Sequence, residues 1–389
     1  MLDHTLIFSI FLIFTGAAVL ASIALFARQS LLVAYIFLGG LVGPWGLQLV
    51  SDASVIQQIG HIGIIFLLFL LGLNLQPAQL LHMFRAALVV TIASSAVFSA
   101  LGFVVGWLFD YSLYECLILG AVMMFSSTII GLKLLPTTAL HHRHMGQVMI
   151  SILLLQDIIA IFILLLLQGF SSSGVEWQQA GRLAVAVPLL VVVAFVFERY
   201  VLQHLMQRFD TIQEYIFLTA IGWCIGIAQL AQFVGLSYEI GAFIAGVSLA
   251  TSPISLYIAE SLKPLRDFFL IMFFFSLGAS FNITVLPDVV IPAMILAAMM
   301  LAIKPYVFSK LLVATGETGS LPAEVGVRLG QISEFSLLIA LLALNSGAIS
   351  MQVSYLIQAA TLITFIASAY IIMLNYPTPI AVSDRLRKD

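Results

Sequence analysis

An all-α polytopic membrane protein of about thirteen transmembrane helices is the fold class this sequence predicts, and three observations predict it. Apolar residues make up 62% of the 389 and charged residues only 8%, where a typical soluble domain carries about 25% charge. The apolar residues gather into runs of about 20, the length needed to cross a hydrocarbon core of about 30 Å. Lys and Arg fall between those runs, almost all on one side of an alternating path. Lipid is therefore the solvent for most of the chain. The net charge of -3 and the single, scattered positive residues offer no basic surface, which excludes nucleic acid as a partner.

Breaking the apolar runs at charged, Gly/Pro and Ser clusters predicts spans at 5–26, 30–49, 55–75, 84–108 and 114–135. Eight more follow at 145–168, 181–203, 213–233, 236–252, 267–282, 287–314, 322–346 and 353–375. The first is read as a retained helix, because Asp3 and His4 precede it with no Lys or Arg to make a cleaved signal. With the N-terminus outside, thirteen of the fifteen Lys and Arg residues, from Arg28 through Lys388, lie on the cytoplasmic side. Arg182 alone falls outside, and Lys304 falls within a span. Residues 171–174 read as an external loop and 251–267 as a cytoplasmic segment with room for a short surface helix. Residues 1–377 form one transmembrane domain and 378–389 a short cytoplasmic tail, so no soluble regulatory domain is expected. Cys116 and Cys224, without CxxC spacing, read as small buried hydrophobes.

Ionisable side chains inside the spans point to function, since a charge at the bilayer centre costs about 2.5–3.5 kcal/mol. Asp157, preceded by Gln156, lies at the midpoint of the sixth span with no local charge to neutralise it. Lys304 in the eleventh is too deep to snorkel, and Pro305 frees a backbone carbonyl beside it; its plainer reading is a structural ion pair. Glu334 lies halfway along the twelfth, in Gly330-Gln331-Ile332-Ser333-Glu334-Phe335-Ser336, where glycine and polar side chains interrupt an apolar run. The fifth span has a matching interruption, Ser126-Ser127-Thr128 followed by Gly131. Non-helical backbone at membrane depth survives only where it is buried in protein or lines a cavity, so two breaks predict a midplane site. Helix-helix hydrogen bonding is the plainer use of such hydroxyls.

The fifth and twelfth spans are seven apart, so they run in opposite directions. That is the arithmetic of an inverted repeat: spans 1–6 and 8–13 as halves, the seventh linking them, and two discontinuous helices crossing at the midplane. Other polar groups carry weaker signals. His141, His142 and His144 read as a solvated loop rather than a metal site. Glu239, near the outer end of the ninth span, attracts cations or faces water, and His61 and Asn74 read as packing hydrogen bonds.

Several of these motifs, in this order, resemble the Kef-type branch of the monovalent cation:proton antiporter-2 family, the glutathione-gated potassium efflux transporters and their relatives. The carriers are Gly43-Pro44-Trp45-Gly46-Leu47, Ser126-Ser127-Thr128, Leu155-Gln156-Asp157, Gly235-Leu236-Ser237 with Gly241-Ala242-Phe243-Ile244-Ala245-Gly246, Lys304, and Gly330-Gln331 with Ser333-Glu334-Phe335. The resemblance spans nearly the whole chain. It implies a homodimer in the bacterial inner membrane, each subunit with a core bundle that moves like an elevator against a dimerisation bundle, and it admits a separate regulatory subunit. It makes Asp157 the ion and proton carrier, with Gln156, Ser126, Ser127 and Thr128 nearby, and assigns Lys304, Gln331, Ser333 and Glu334 to charge pairing and the crossover. Gln-Asp is the form associated with potassium, whereas sodium-selective relatives commonly have Asn-Asp or Asp-Asp. Two features depart from the pattern: Asn74 stands where relatives often carry glutamate, and the nucleotide-binding domain of Kef gating is absent.

A carboxyl in a low-dielectric cavity holds its proton, and a bound cation displaces it, so the two compete for one site. Exposing that site alternately to each side turns competition into exchange of K+ for H+, with no enzyme chemistry, cofactor or resident metal. A sodium/proton antiporter of the same fold is the nearest alternative. A gated cation channel is a further one, against which stand the missing TVGYG-like filter and the short, paired breaks. A non-transporting receptor would have no use for a central Asp157.

Overall fold

The computed structural model describes residues 6–27, 29–50, 54–74, 77–133, 144–168, 170–171, 174–175, 177–209, 212–252 and 254–378. Arg28, His141, His142, Arg143 and the charged tail beyond Thr378 lie outside them, as do the side chains of Asn74, Arg85, Lys133 and Arg182.

Helices α1 (Leu6–Phe26), α2 (Leu31–Val42), α3 (Ser54–Asn74) and α4 (Pro77–Leu108) correspond to the first four predicted spans. The fifth is broken in two, α5 (Leu113–Met123) and α6 (Thr128–Lys133), and α7 (His144–Gln168) is the sixth. The seventh is α8 (Trp177–Phe197), a π-helical turn (Glu198–Leu202) and α9 (Gln203–Arg208). Then come α10 (Gln213–Phe233), α11 (Tyr238–Leu249), α12 (Ser255–Ser280) and α13 (Leu286–Ala314). The twelfth span is again two pieces, α14 (Leu321–Arg328) and α15 (Glu334–Asn345), and α16 (Met351–Asn375) is the last. Each of the thirteen predicted spans thus has a helix or a broken helix among the described residues. Among the described residues seven helices are long and apolar enough to cross a membrane, and five shorter apolar ones accompany them. The chain is an all-α multi-pass membrane protein.

Two local readings are corrected. Residues 251–267 do not form a separate surface helix: α12 starts at Ser255 and runs through Pro264 into the tenth span. Charges at Glu260, Lys263, Arg266 and Asp267 read as loop, yet they lie along one helix, with Lys263 bonded to Glu260 one turn away. Within the external loop, Phe170–Ser171 pairs with Gly174–Val175 as a two-residue antiparallel ladder.

The chain divides into two compact units. One comprises Met1–Val19, Tyr35–Gln79 and Gln168–Phe281. Here α3 packs on α11 and α12 at backbone distance: a Cβ on Gly72 would fall 2.5 Å from the Phe243 carbonyl oxygen, and one on Gly246 would overlap that of Phe69. Small residues facing each other are the ordinary way for membrane helices to approach closely. Stacking of Phe66 on Phe269, with ring centroids 5.5 Å apart, fills the space beside them. The second unit comprises Leu20–Ala34, Leu80–Leu167 and Asn282–Asp389. Its core joins Val90 and Phe98 of α4, Met149, Ile152 and Leu153 of α7, Phe308 of α13 and Val325 of α14.

Replacing Gly246 by Val should lower the melting midpoint in detergent, because overpacking a tight contact costs about 1–3 kcal/mol. Gly222→Ala, where an added Cβ meets nothing within 4 Å, should melt no lower than the parent. Equal melting of the two variants would contradict the close α3–α11 packing.

Candidate functional site

The two broken helices meet in the second unit, and side chains of the predicted site make the junction. Residues 124–127 and 329–333 leave the helical path, so their peptide groups need partners in an apolar interior. Gln156 of α7 supplies two: its Oε1 accepts from the Ser126 amide at 3.0 Å and its Nε2 donates to the Met124 carbonyl at 3.1 Å. Ser126 Oγ donates to the Leu329 carbonyl at 2.8 Å, tying one break to the other. Gln331 Nε2 donates to the carbonyls of Ser127, 3.3 Å, and Arg328, 3.0 Å. Ser336 Oγ donates to the Val122 carbonyl at 2.6 Å.

Both new helices restart with a serine. Ser127 Oγ accepts from the Ile130 amide below α6, and Ser333 Oγ caps α15 by accepting from the Phe335 amide. Glu334, at the first position of α15, is buried beside the positive end of that helix.

Lys304 holds the opposite ends. Fully buried, its Nζ donates to the carbonyls of Phe125, 2.6 Å, and Gln331, 3.0 Å, the first turns past the C-termini of α5 and α14. Each C-terminus carries roughly half a negative charge, so one side-chain cation answers two helix dipoles. The ring of Phe98 lies 5.1 Å from the same nitrogen. Beside it Gly326 lets α14 come close: a Cβ there would fall 2.5 Å from the carbonyl oxygen of Pro305, the residue after Lys304. Asp157, one residue from Gln156, is 3% exposed, and the Glu334 carboxyl lies within electrostatic reach of it. All nine residues singled out from the sequence, Ser126, Ser127, Thr128, Gln156, Asp157, Lys304, Gln331, Ser333 and Glu334, belong to this unit.

Some participants were missed by the sequence reading. One face of α16 presents Ser354, Gln358, Thr361, Thr364 and Ser368, all buried; Thr364 Oγ1 accepts from the Ile332 amide at 3.1 Å, and Ser368 Oγ donates to Gln331 Oε1 at 3.0 Å. Their spacing of three and four in the last span is a helical signal that could have been read. Arg328, counted among the loop charges, is fully buried and bonds Glu324 at 2.8 Å and the Pro377 carbonyl at 2.7 Å. In the other unit Glu239 neither faces water nor stands alone: it is 2% exposed and pairs with His61 at 2.7 Å. His61 thereby makes the hydrogen bond read for it. Both cysteines are free and buried. Among the described residues no three His, Cys, Asp or Glu side chains gather as a metal site would require.

Comparison with known proteins places this crossing in context. The family model described as sodium/hydrogen exchanger, transmembrane, matches residues 10–374. K(+) efflux antiporter 4 of Arabidopsis thaliana is 28% identical over 360 residues, 88% of this chain and 59% of that protein. K(+) efflux antiporter 5 of the same plant is 27% identical over 380 residues, 94% of this chain and 66% of that protein. The chain therefore spans under two thirds of these relatives' length. Among solved structures, the sodium proton antiporter MjNhaP1 of Methanocaldococcus jannaschii superposes with a TM-score of 0.72 at 15% identity, covering 94% of this chain and 95% of that one, a likeness of fold.

Lys304→Met should lower the melting midpoint in detergent more than Lys310→Met does. Charge-assisted hydrogen bonds contribute about 1.5–3 kcal/mol each, and the substitution at 304 strands two buried carbonyls. Equal midpoints for the two variants would show that Lys304 does not brace the breaks.

Proposed function

Because this chain belongs to the sodium/hydrogen exchanger family, we propose that it is a secondary active antiporter exchanging K+ for H+ at Asp157. The observation that carries the reading is the junction itself: two broken helices, held open by Gln156, Gln331 and Lys304, in the unit that buries Asp157. Open backbone at membrane depth is costly, and its use is to offer carbonyl, hydroxyl and carboxylate oxygens to an ion. Hard monovalent cations take such oxygen ligands. Proton and cation then compete for one carboxylate, and alternate exposure of that carboxylate makes the exchange.

Ser126, Ser127 and Thr128 supply oxygen atoms beside Asp157 in this reading. Gln156 positions the first break, Lys304 with Gln331 and Ser333 stabilises the crossing, and Glu334 adds a second carboxyl to it. The cycle is of the elevator type, and the division of the chain into two compact units, one with all of the crossing, supports it. Potassium as the cation follows from Gln156-Asp157 and from the potassium efflux relatives. A homodimer in the bacterial inner membrane, N-terminus outside and C-terminus cytoplasmic, with room for a regulatory subunit, completes the proposal.

Reconstitution into liposomes with imposed pH and K+ gradients tests it. The parent should collapse a pH gradient on addition of K+, and Asp157→Asn, which keeps the shape and loses the titratable group, should reduce that rate at least tenfold while melting like the parent. Unchanged exchange in Asp157→Asn would remove the carboxylate from the mechanism. With equal K+ and Na+ gradients the K+ rate should be the larger; a clear preference for Na+ would make the protein a sodium/proton antiporter instead.

A further inference from the structure

The inner face of helix α4 carries buried oxygen atoms outside the hydrogen bonds that join the two breaks. Thr91 and Ser95 are 0% and 5% exposed, and among the described residues neither Thr91 Oγ1 nor Ser95 Oγ has a hydrogen-bond partner. Between them Ser94, equally buried, donates to the Thr91 carbonyl at 3.1 Å. Hydroxyls inside helices ordinarily bond back to a carbonyl three or four residues earlier, as Ser94 does. Leaving two others unpaired in an apolar interior carries a desolvation penalty with no return unless something else occupies them.

Helix register and an aromatic contact both put that face at the crossing. A Cβ on Gly106 would meet Cys116, one on Gly102 would meet Leu119, Gly120 and Met123, and one on Gly120 would meet Ser99. Moving toward the N-terminus of α4 therefore advances along α5, and one more turn brings Ser95 level with the break at 124–127 and Thr91 level with the start of α6. Residues 91, 94, 95 and 98 share one helix face by their spacing of three, four and seven. Phe98 on that face lies under Lys304, whose Nζ is bonded to the Phe125 carbonyl in the break. At the far side of the same break, Thr128 Oγ1 is also buried without a hydrogen-bond partner among the described residues.

We propose that Thr91 and Ser95 of α4 are oxygen ligands of the transported monovalent cation, completing with Thr128 and Asp157 a shell that replaces its water. The proposal rests on the antiporter reading and extends it to a helix with no carboxylate at this depth. Neutral hydroxyls are well matched to such a shell, because they hold a dehydrated cation without adding charge, so one proton on Asp157 still suffices to release it.

The test compares Ser95→Ala and Thr91→Val with Ser94→Ala, in proteoliposomes with a fixed pH gradient and a series of K+ concentrations. Ser95→Ala and Thr91→Val should each raise the K+ concentration for half-maximal exchange about tenfold, the factor equivalent to 1.4 kcal/mol, with the maximal rate less affected. Ser94→Ala, whose hydroxyl is already bonded, should leave it within about twofold. In K+-free detergent Ser95→Ala should melt no lower than the parent, since it removes an unpaired hydroxyl, and it should lose part of the stabilisation that added K+ confers on the parent. Ser95→Ala removes one atom, so it decides the matter alone if Thr91→Val does not fold. Unchanged half-saturation and unchanged K+ stabilisation in Ser95→Ala overturn the proposal and leave the hydroxyls to water. A parent protein that neither exchanges K+ nor gains stability from it would instead defeat the K+/H+ reading on which the proposal rests.

Discussion

Every peptide group in a membrane interior must find its partner within the protein, and the nine residues of the two helix breaks find theirs only partly within a helix. Residues 124–127 and 329–333 are exposed to that demand at the depth where water is scarce. The sequence answers with side chains whose length and chemistry match the unpaired groups. Gln156 offers an acceptor to one amide and a donor to one carbonyl; Gln331 reaches two carbonyls; Thr364 takes the Ile332 amide. The rest of the unit follows from holding the breaks open.

Dipoles impose the second condition. Two helix C-termini converge on one region, a repulsive arrangement in low dielectric, and Lys304 lies where both ends can be answered. Its burial would be prohibitive alone and becomes tolerable because two carbonyls and an aromatic face surround it. Lys304 directs its hydrogen bonds to those carbonyls, and among the described residues no salt bridge joins it to Asp157.

Both compact units bring helices close at glycines, at Gly72 and Gly246 in one and at Gly102, Gly120 and Gly326 in the other. In one, glycines at 72 and 246 bring α3 and α11 to backbone contact, and the buried charge of Glu239 is consumed by His61. In the other, large side chains such as Phe98 and Phe308 fill the core, and polar groups concentrate where the helices are interrupted.

What the sequence determined alone is the set of properties that belong to single segments. Thirteen spans, the interruptions at Ser126 and Gly330, and the isolation of Asp157, Lys304 and Glu334 in apolar runs are all one-dimensional, because lipid solvation acts on each segment independently of its neighbours. The start of α12 escaped that reading, since charges spaced along a helix outside lipid look like a loop. Partnership was decided only in three dimensions. Nothing local tells that Ser126 meets Leu329, 203 residues on, that Arg328 is buried against the Pro377 carbonyl, or that Glu239 is matched by His61 across 178 residues. Nor could the sequence separate Ser94, whose hydroxyl is bonded, from Thr91 and Ser95, whose hydroxyls are not. A side chain's hydropathy is its own, whereas a hydrogen bond is a relation between two groups, and only the packing of the helices supplies the second one.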